Sequence, residues 1–96
     1  MRAAKEKSLE RILLRTKPVK MLVGLLHDKK STKYVSIIAK EVDCTYSHTV
    51  KTLQKLMEAG LVEFKKQGRL KLVKLTKDGK ELAEYLRKAL AIIRKK

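Results

Sequence analysis

The sequence predicts a small α+β domain that is mainly helical, and three features predict it. Over most of the 96 residues, apolar side chains recur at the helical spacing of three and four. After Gly60 they alternate with polar residues at a spacing near two, which is typical of strands. A hydrophobic fraction of 44% is enough for one core, and a chain of this length forms one domain rather than two.

The first part of the chain is predicted to form two helices that Pro18 separates. In residues 1–16, apolar side chains share one face of an otherwise charged segment. These apolar residues are Leu9, Ile12 and Leu13. Proline suits the first turn of a second helix, because its missing N–H would be unpaired there in any case. That helix is expected to extend to about Asp28, and Tyr34 with Val35 is expected to form a very short strand after a polar loop.

Two short helices joined by a tight turn are predicted in the middle of the chain. Ser36 is a suitable N-cap for the first of them, residues 37–42. Residues 43–44 then form the turn, and Thr45 caps the second helix, residues 46–59. This arrangement is a helix-turn-helix.

A β-hairpin and a last helix are predicted to follow. Gly60 ends the preceding helix, because glycine adopts the left-handed conformation of a C-terminal cap. Residues 61–65 and 70–75 alternate as strands, and the connection between them contains the glycine that a hairpin favours. Thr76 caps the last helix, which ends in cations, as the helix dipole prefers.

A helix-turn-helix followed directly by a hairpin is the winged helix-turn-helix arrangement. We therefore divide the chain into three parts. Residues 18–76 form the winged helix-turn-helix domain, residues 1–17 an N-terminal helix, and residues 77–96 a C-terminal helix. The two terminal helices are expected to make dimer contacts.

Two short motifs resemble those of winged-helix transcription regulators of the MarR and ArsR type. In those families the recognition helix ends in Leu-x-x-Leu-x-x-x-Gly-Leu-Val, and Leu-Thr-x-x-Gly follows the wing. The matching residues are Leu53, Leu56, Gly60, Leu61 and Val62 in the first motif, and Leu75, Thr76 and Gly79 in the second. The resemblance implies a regulator that binds double-stranded DNA. The chain departs from it at Asp43, which stands where the turn usually has glycine.

The charge independently predicts a polyanionic partner. Lys and Arg number 25 against 10 Asp and Glu, so the formal net charge is +15. This excess favours nucleic acid first and an anionic membrane surface second. No apolar run approaches the roughly 18 residues of a membrane span, and the charged N-terminus lacks the apolar region of a secretory signal. A single cysteine, Cys44, excludes an internal disulfide, and we expect a cytoplasmic protein.

The second helix of the helix-turn-helix carries predicted DNA contacts, to bases or to phosphates. On a helical projection centred on Leu53, Tyr46 and Met57 fall on the core side, with the Tyr46 hydroxyl expected at a phosphate. The small polar and basic side chains that suit a major groove fall on the outer side. With the preceding cap, the predicted contacts from this helix are Thr45, Tyr46, Ser47, His48, Lys51, Thr52 and Lys55.

The hairpin is predicted to contact phosphates or the minor groove. Between Lys65 and Lys74 it carries five cations and no acid, more than protection of an edge strand requires. The predicted contacts are Lys65, Lys66, Arg69 and Lys71, with Arg69 the best single candidate. Only four aromatic residues are present, which argues against a stacking platform for single strands.

The last helix has an apolar stripe too wide for its own domain, which suggests a second subunit. The residues predicted at a homodimer interface are Leu9, Ile12, Leu13, Tyr85, Leu86, Ala89, Ile92 and Ile93. The alternative is a monomer in which the two terminal helices cover each other.

Other functions remain open at this stage or are unfavourable. A DNA-coating architectural protein, or a winged helix that binds an acidic protein partner, also fits the charge. Catalysis is not expected, because the sequence contains no recognisable triad or phosphate-binding loop. Cys44 and His48 alone do not make a metal site, so no metal and no cofactor are expected.

Overall fold

The structure is a computed structural model that describes residues 15–68 and 70–95, apart from the side chains of Gln67 and Leu70. The elements in chain order are α1 (Thr16–His27), β1 (Thr32–Tyr34), α2 (Val35–Glu41), α3 (Tyr46–Glu58), β2 (Val62–Gln67), β3 (Leu70–Leu75) and α4 (Lys77–Arg94). This order confirms the α+β fold and the helix-turn-helix followed by a hairpin. None of the helices in these residues is long and apolar enough to cross a membrane.

The three strands form one antiparallel sheet in the order β1-β3-β2. In the hairpin, Val62 lies opposite Leu75 at the base and Lys66 opposite Lys71 near the tip. The short strand β1 pairs with the base of β3, where Thr32 lies opposite Lys74. The wing therefore extends beyond the part of the sheet that has three strands.

The core lies where the helices meet one face of this sheet. Leu22 and Leu25 of α1, Leu53 of α3 and Ala83 of α4 have no exposed surface, and Val73 contributes from the middle strand. Helix α1 packs mainly against α4, and α2 against α3. One continuous core thus holds the helix-turn-helix, the sheet and the last helix in a fixed arrangement.

A joint between the hairpin and α4 explains the Leu-Thr-x-x-Gly motif. The Thr76 hydroxyl donates to the Gly60 carbonyl at 2.6 Å and accepts from the Gly79 amide at 3.0 Å, which confirms the predicted cap. The Thr76 amide donates to the Leu61 carbonyl at 3.1 Å. Gly60 has a φ of 82°, as expected at the end of α3.

Pro18 lies in the first turn of its helix as predicted, whereas the predicted helix start at Ser36 was wrong. Helix α1 begins at Thr16 after the extended Arg15, so Pro18 lies at its third position, where its missing N–H still costs no hydrogen bond. Helix α2 begins at Val35, directly after β1, so Ser36 lies inside the helix and is not its cap. Val35, predicted in the short strand with Tyr34, is instead the first residue of this helix and is buried. Of the predicted N-terminal helix, residues 1–17, all but residues 15–17 lie outside the described residues.

Candidate nucleic-acid interface

Helix α3 begins at a well-made cap, as predicted. The Thr45 hydroxyl accepts from the His48 amide at 3.2 Å, and the Thr49 hydroxyl donates to the Thr45 carbonyl at 2.8 Å. Thr49 is fully buried, so the first turn is fixed against the core. The exposed side chains on either side of Thr49 in sequence therefore project from a rigid helix.

The outer face of α3 is exposed largely as predicted, with one correction. The exposed residues are Ser47, His48, Lys51 and Lys55. Thr52 was expected beside them, but it is only 9% exposed and its hydroxyl donates to the His48 carbonyl at 3.0 Å. Its outward orientation was wrong because threonine can bury its methyl group once its hydroxyl bonds to the preceding turn.

The predicted orientation of two other residues on α3 was also wrong, because the buried side of the helix differs from that of the projection. Tyr46 is 48% exposed and Met57 is 41% exposed, although a projection centred on Leu53 places both on the core side. The buried side of the helix is instead shifted toward Thr49 and Thr52. Tyr46 is thereby accessible to a ligand along more than its hydroxyl.

Gln54 was missed by the sequence analysis. It is exposed on α3, one helical turn after Lys51, on the same side as Ser47. The signal was present in the sequence, because a glutamine at this spacing from a lysine and a serine falls on one helix face. Its side chain makes no hydrogen bond within residues 15–68 and 70–95.

A second residue that was missed, Lys17 of α1, contacts the turn between α2 and α3. Asp43 has a φ of 56°, a conformation that aspartate tolerates better than most residues. Its carbonyl accepts a hydrogen bond from the Lys17 ammonium at 2.7 Å. This places a cation from α1 beside the turn that precedes α3. Lys17 and Asp43 are 26 residues apart in sequence, and no local pattern indicates their contact.

The wing places like charges opposite each other on the face of the sheet that carries the helices. Val62 and Phe64 of β2 are followed on this face by Lys66, because alternate residues of a strand share a face. Lys66 lies directly opposite Lys71. Like charges in such a position destabilise a sheet when nothing neutralises them. The face of the hairpin that is hydrophobic next to the core thus carries a pair of cations nearer the tip.

The other face of the wing is less uniformly basic. Glu63 lies opposite Lys74, so the cation at the base of the wing has a carboxylate as its cross-strand neighbour. Lys65 lies opposite Leu72 and is exposed. Arg69, the best single candidate from the sequence, lies outside the described residues.

Helix α4 carries an exposed apolar stripe. Tyr85 is 62% exposed, Ile92 is 61% exposed and Ile93 is 64% exposed, and Ala89 is exposed between them. Leu86 is half-buried and packs against the core of its own domain, so it is only partly available to a second subunit. The other predicted interface residues, Leu9, Ile12 and Leu13, lie outside the described residues.

An ion pair lies on the other side of the same helix. Arg87 Nε lies 3.1 Å from Glu84 Oε1. This hydrogen bond lowers the pKa of the Glu84 carboxyl, and the charges of Arg87, Lys88 and His27 act in the same direction. The carboxylate therefore stays ionised at mildly acidic pH.

No three His, Cys, Asp or Glu side chains within the described ranges are grouped as metal ligands. Cys44 is half-buried in the turn between α2 and α3. Exposed cations lie on α3, beside the turn that precedes it and on the wing. This arrangement suits an extended polyanion.

Comparison with known proteins agrees with this geometry. A family model for winged helix DNA-binding domains matches residues 21–79, which is more than half of the chain. The fold is similar to that of a protein from Archaeoglobus fulgidus, with a TM-score of 0.78 and 25% identity, over 86% of this chain and 93% of that chain.

Two further solved structures have a similar fold. One is the MepR–DNA complex of Staphylococcus aureus, with a TM-score of 0.75 and 20% identity, covering 93% of this chain and 74% of that chain. The other is a homodimeric winged helix-turn-helix DNA-binding domain of Mycobacterium bovis, a possible ArsR-family transcriptional regulator. Its TM-score is 0.74 at 18% identity, covering 93% of this chain and 81% of that chain. These folds confirm the expected winged helix, and the match to the family model shows that the chain belongs to the family of winged helix DNA-binding domains.

Proposed function

We propose that this protein is a homodimeric transcription regulator that binds double-stranded DNA at specific sequences. Helix α3 enters the major groove and the wing follows the flanking backbone or minor groove. One observation carries the proposal. The exposed face of α3 is polar and basic, and the wing carries a pair of cations, Lys66 and Lys71, on the face that bears the helices.

The cation pair favours a phosphate partner over a merely solvated wing. Two lysines opposite each other cost stability in the free protein. Phosphates would relieve this repulsion, and the condensed counterions released from the DNA would add to the affinity. Lys65 and Arg69 extend the same charge along the hairpin in sequence.

The exposed stripe of α4 supports the dimer. Tyr85, Ala89 and Ile92 lie on one side of the helix, and burying such side chains against a second copy is favourable. Homodimerisation of the Mycobacterium bovis domain is consistent with this. A two-fold dimer would present its two α3 helices to half-sites about 34 Å apart along the duplex. We assign DNA binding to residues 18–76 and dimer contacts to residues 1–17 and 77–96.

An architectural protein with little sequence preference is the second candidate. The net charge of +15 on 96 residues favours it, because charge alone supports binding to any duplex. Ser47 and His48 argue against it, because hydrogen-bonding side chains on the exposed face of α3 can distinguish base edges, which a protein that binds through charge alone does not need.

Selection of bound duplexes from fragmented genomic DNA at about 150 mM salt separates these functions. Enrichment of a two-fold site is the expected result. Uniform recovery of all fragments would support the architectural protein, and no recovery would point to a protein partner for the wing.

Two variants then separate base reading from phosphate binding. Lys51→Ala should weaken binding to the selected site by about 1–3 kcal/mol and should relax sequence preference. Lys66→Ala should weaken binding to all sequences evenly and should reduce the slope of log affinity against log salt by about one. Equal losses on every sequence for both variants would contradict base reading by α3.

A further inference from the structure

A stripe of four exposed side chains runs along α3. Ser47, Lys51, Gln54 and Glu58 are separated by four, three and four residues, which places them on one side of a helix. All four are exposed. The opposite side of the helix is held by Leu53 and Leu56, which are fully buried, so the stripe has a fixed direction.

The two central residues of the stripe have distinct chemistry toward bases. A lysine ammonium donates to the O6 and N7 atoms of guanine in the major groove. A glutamine amide donates to N7 and accepts from the N6 amino group of adenine, which no other base offers in that geometry. Within the described residues, the side chains of Lys51 and Gln54 make no intramolecular hydrogen bond.

The spacing of these two residues matches neighbouring base pairs. Three residues of α-helix rise about 4.5 Å along the axis. Base pairs in the duplex rise about 3.4 Å each. A helix that lies along the groove therefore brings Lys51 and Gln54 to base pairs that are adjacent or one apart.

Glu58 indicates where this reading surface ends. It lies one turn beyond Gln54 and is the last residue of α3. A carboxylate near the phosphates is repelled, so the part of α3 that approaches the DNA extends from Tyr46 to Lys55. Gln54 lies inside this part.

We propose that Gln54 is a specificity-determining residue that reads an adenine, within two base pairs of a guanine that Lys51 reads. The proposal rests on the DNA-reading function proposed above. It adds a sequence prediction, because each half-site should contain this guanine and adenine at fixed separation. It also assigns a role in DNA recognition to a residue that carries no charge.

The experiment compares the sites selected by the wild-type protein, Gln54→Ala and Lys55→Ala. Gln54→Ala should lose preference at one adenine position and keep preference at the guanine. Alanine is a good helix former and Gln54 is exposed, so the variant should fold normally. Lys55→Ala is the control on the same turn. It should lower affinity without changing the preferred bases.

Base analogues test the contact with the unchanged protein. Replacing the adenine by 7-deazaadenine removes N7, one of the two hydrogen bonds, and should weaken wild-type binding by about 2- to 13-fold. The same replacement should change the affinity of Gln54→Ala less than twofold, because the contact is already absent.

Two negative outcomes are distinguishable. A wild-type protein that selects no sequence would overturn both the proposed function and this inference. A clear wild-type site that Gln54→Ala selects unchanged, or a site without the guanine–adenine pair, would overturn the role of Gln54 alone.

Discussion

Replacing Gly79 with alanine tests the joint that holds the wing to α4. Gly79 is buried in the first turn of α4. A Cβ atom there would overlap the Leu61 carbonyl oxygen, lie 2.9 Å from its carbon and lie 3.2 Å from Leu75 Cδ2. Two of these atoms belong to the backbone, so α4 must move away from the hairpin.

The cost follows from the hydrogen bonds that this movement breaks. The Thr76 amide would lose the Leu61 carbonyl at 3.1 Å, which is worth about 1 kcal/mol. Distortion of the Thr76 cap on the Gly79 amide costs about 1 kcal/mol more. Overpacking against buried Leu75 adds about 1–3 kcal/mol. We expect Gly79→Ala to lower the free energy of unfolding by about 3–5 kcal/mol.

Gly24→Ala is the matched control with the opposite sign. Its Cβ would lie 3.7 Å from Glu41 Oε1 and 3.9 Å from Lys33 Nζ, which is ordinary contact. Alanine is favoured over glycine inside a helix such as α1, so this variant should be more stable by up to about 1 kcal/mol. Urea unfolding followed by circular dichroism measures both variants. A Gly79→Ala protein within about 0.5 kcal/mol of the wild type would refute the steric argument.

Three further predictions concern the charges of the wing and helix α4. Lys71→Glu creates an opposite-charge pair with Lys66 and should raise the free energy of unfolding by about 0.2–1 kcal/mol at low salt, while DNA affinity falls. A gain that persists in about 1 M salt would contradict the electrostatic cause. Ile92→Glu should yield a monomer by light scattering at tens of micromolar, whereas Ala91→Glu, which adds the same charge on another side of α4, should stay dimeric. Equal masses for the two variants would contradict the assignment of the dimer interface to the side of α4 that carries Ile92. Because its pKa is lowered in the folded protein, Glu84 stabilises the fold above the ordinary value of 4.5 and loses this contribution as the pH falls through the lowered value. Glu84→Gln should therefore make unfolding less sensitive to acid, and an unchanged pH profile from pH 5 to pH 3 would contradict this.

Most of the fold could be predicted because its signals are local. Thr45 and Thr76 both cap helices where the sequence places them, since a threonine before a helical pattern satisfies an end amide from its own side chain. Gly60 adopts the positive φ that ends α3. The switch of hydrophobic spacing after it predicts the hairpin, although β2 extends to Gln67 because its full length pairs with β3.

Which side chains of α3 are exposed could not be fully predicted, because this depends on how α3 is rotated against the core. Hydrophobicity alone centres the buried side on Leu53 and exposes Thr52. Thr49 is buried as that projection predicts, but tertiary packing also buries Thr52, whose hydroxyl bonds to the helix backbone, and exposes Tyr46. Because threonine carries both a methyl group and a hydroxyl, it can lie at the surface or in the core, and its neighbours determine which.

The sequence by itself determined the order of the elements, the family motifs and the strong positive charge, because these depend on spacing and composition. Only the tertiary structure decided which side chains share a surface. It brought Lys17 to the turn before α3, set Lys66 opposite Lys71 on the helix-bearing face of the wing, and buried Thr52 while it exposed Tyr46. These relations depend on strand register and helix rotation, which are fixed by packing many residues at once.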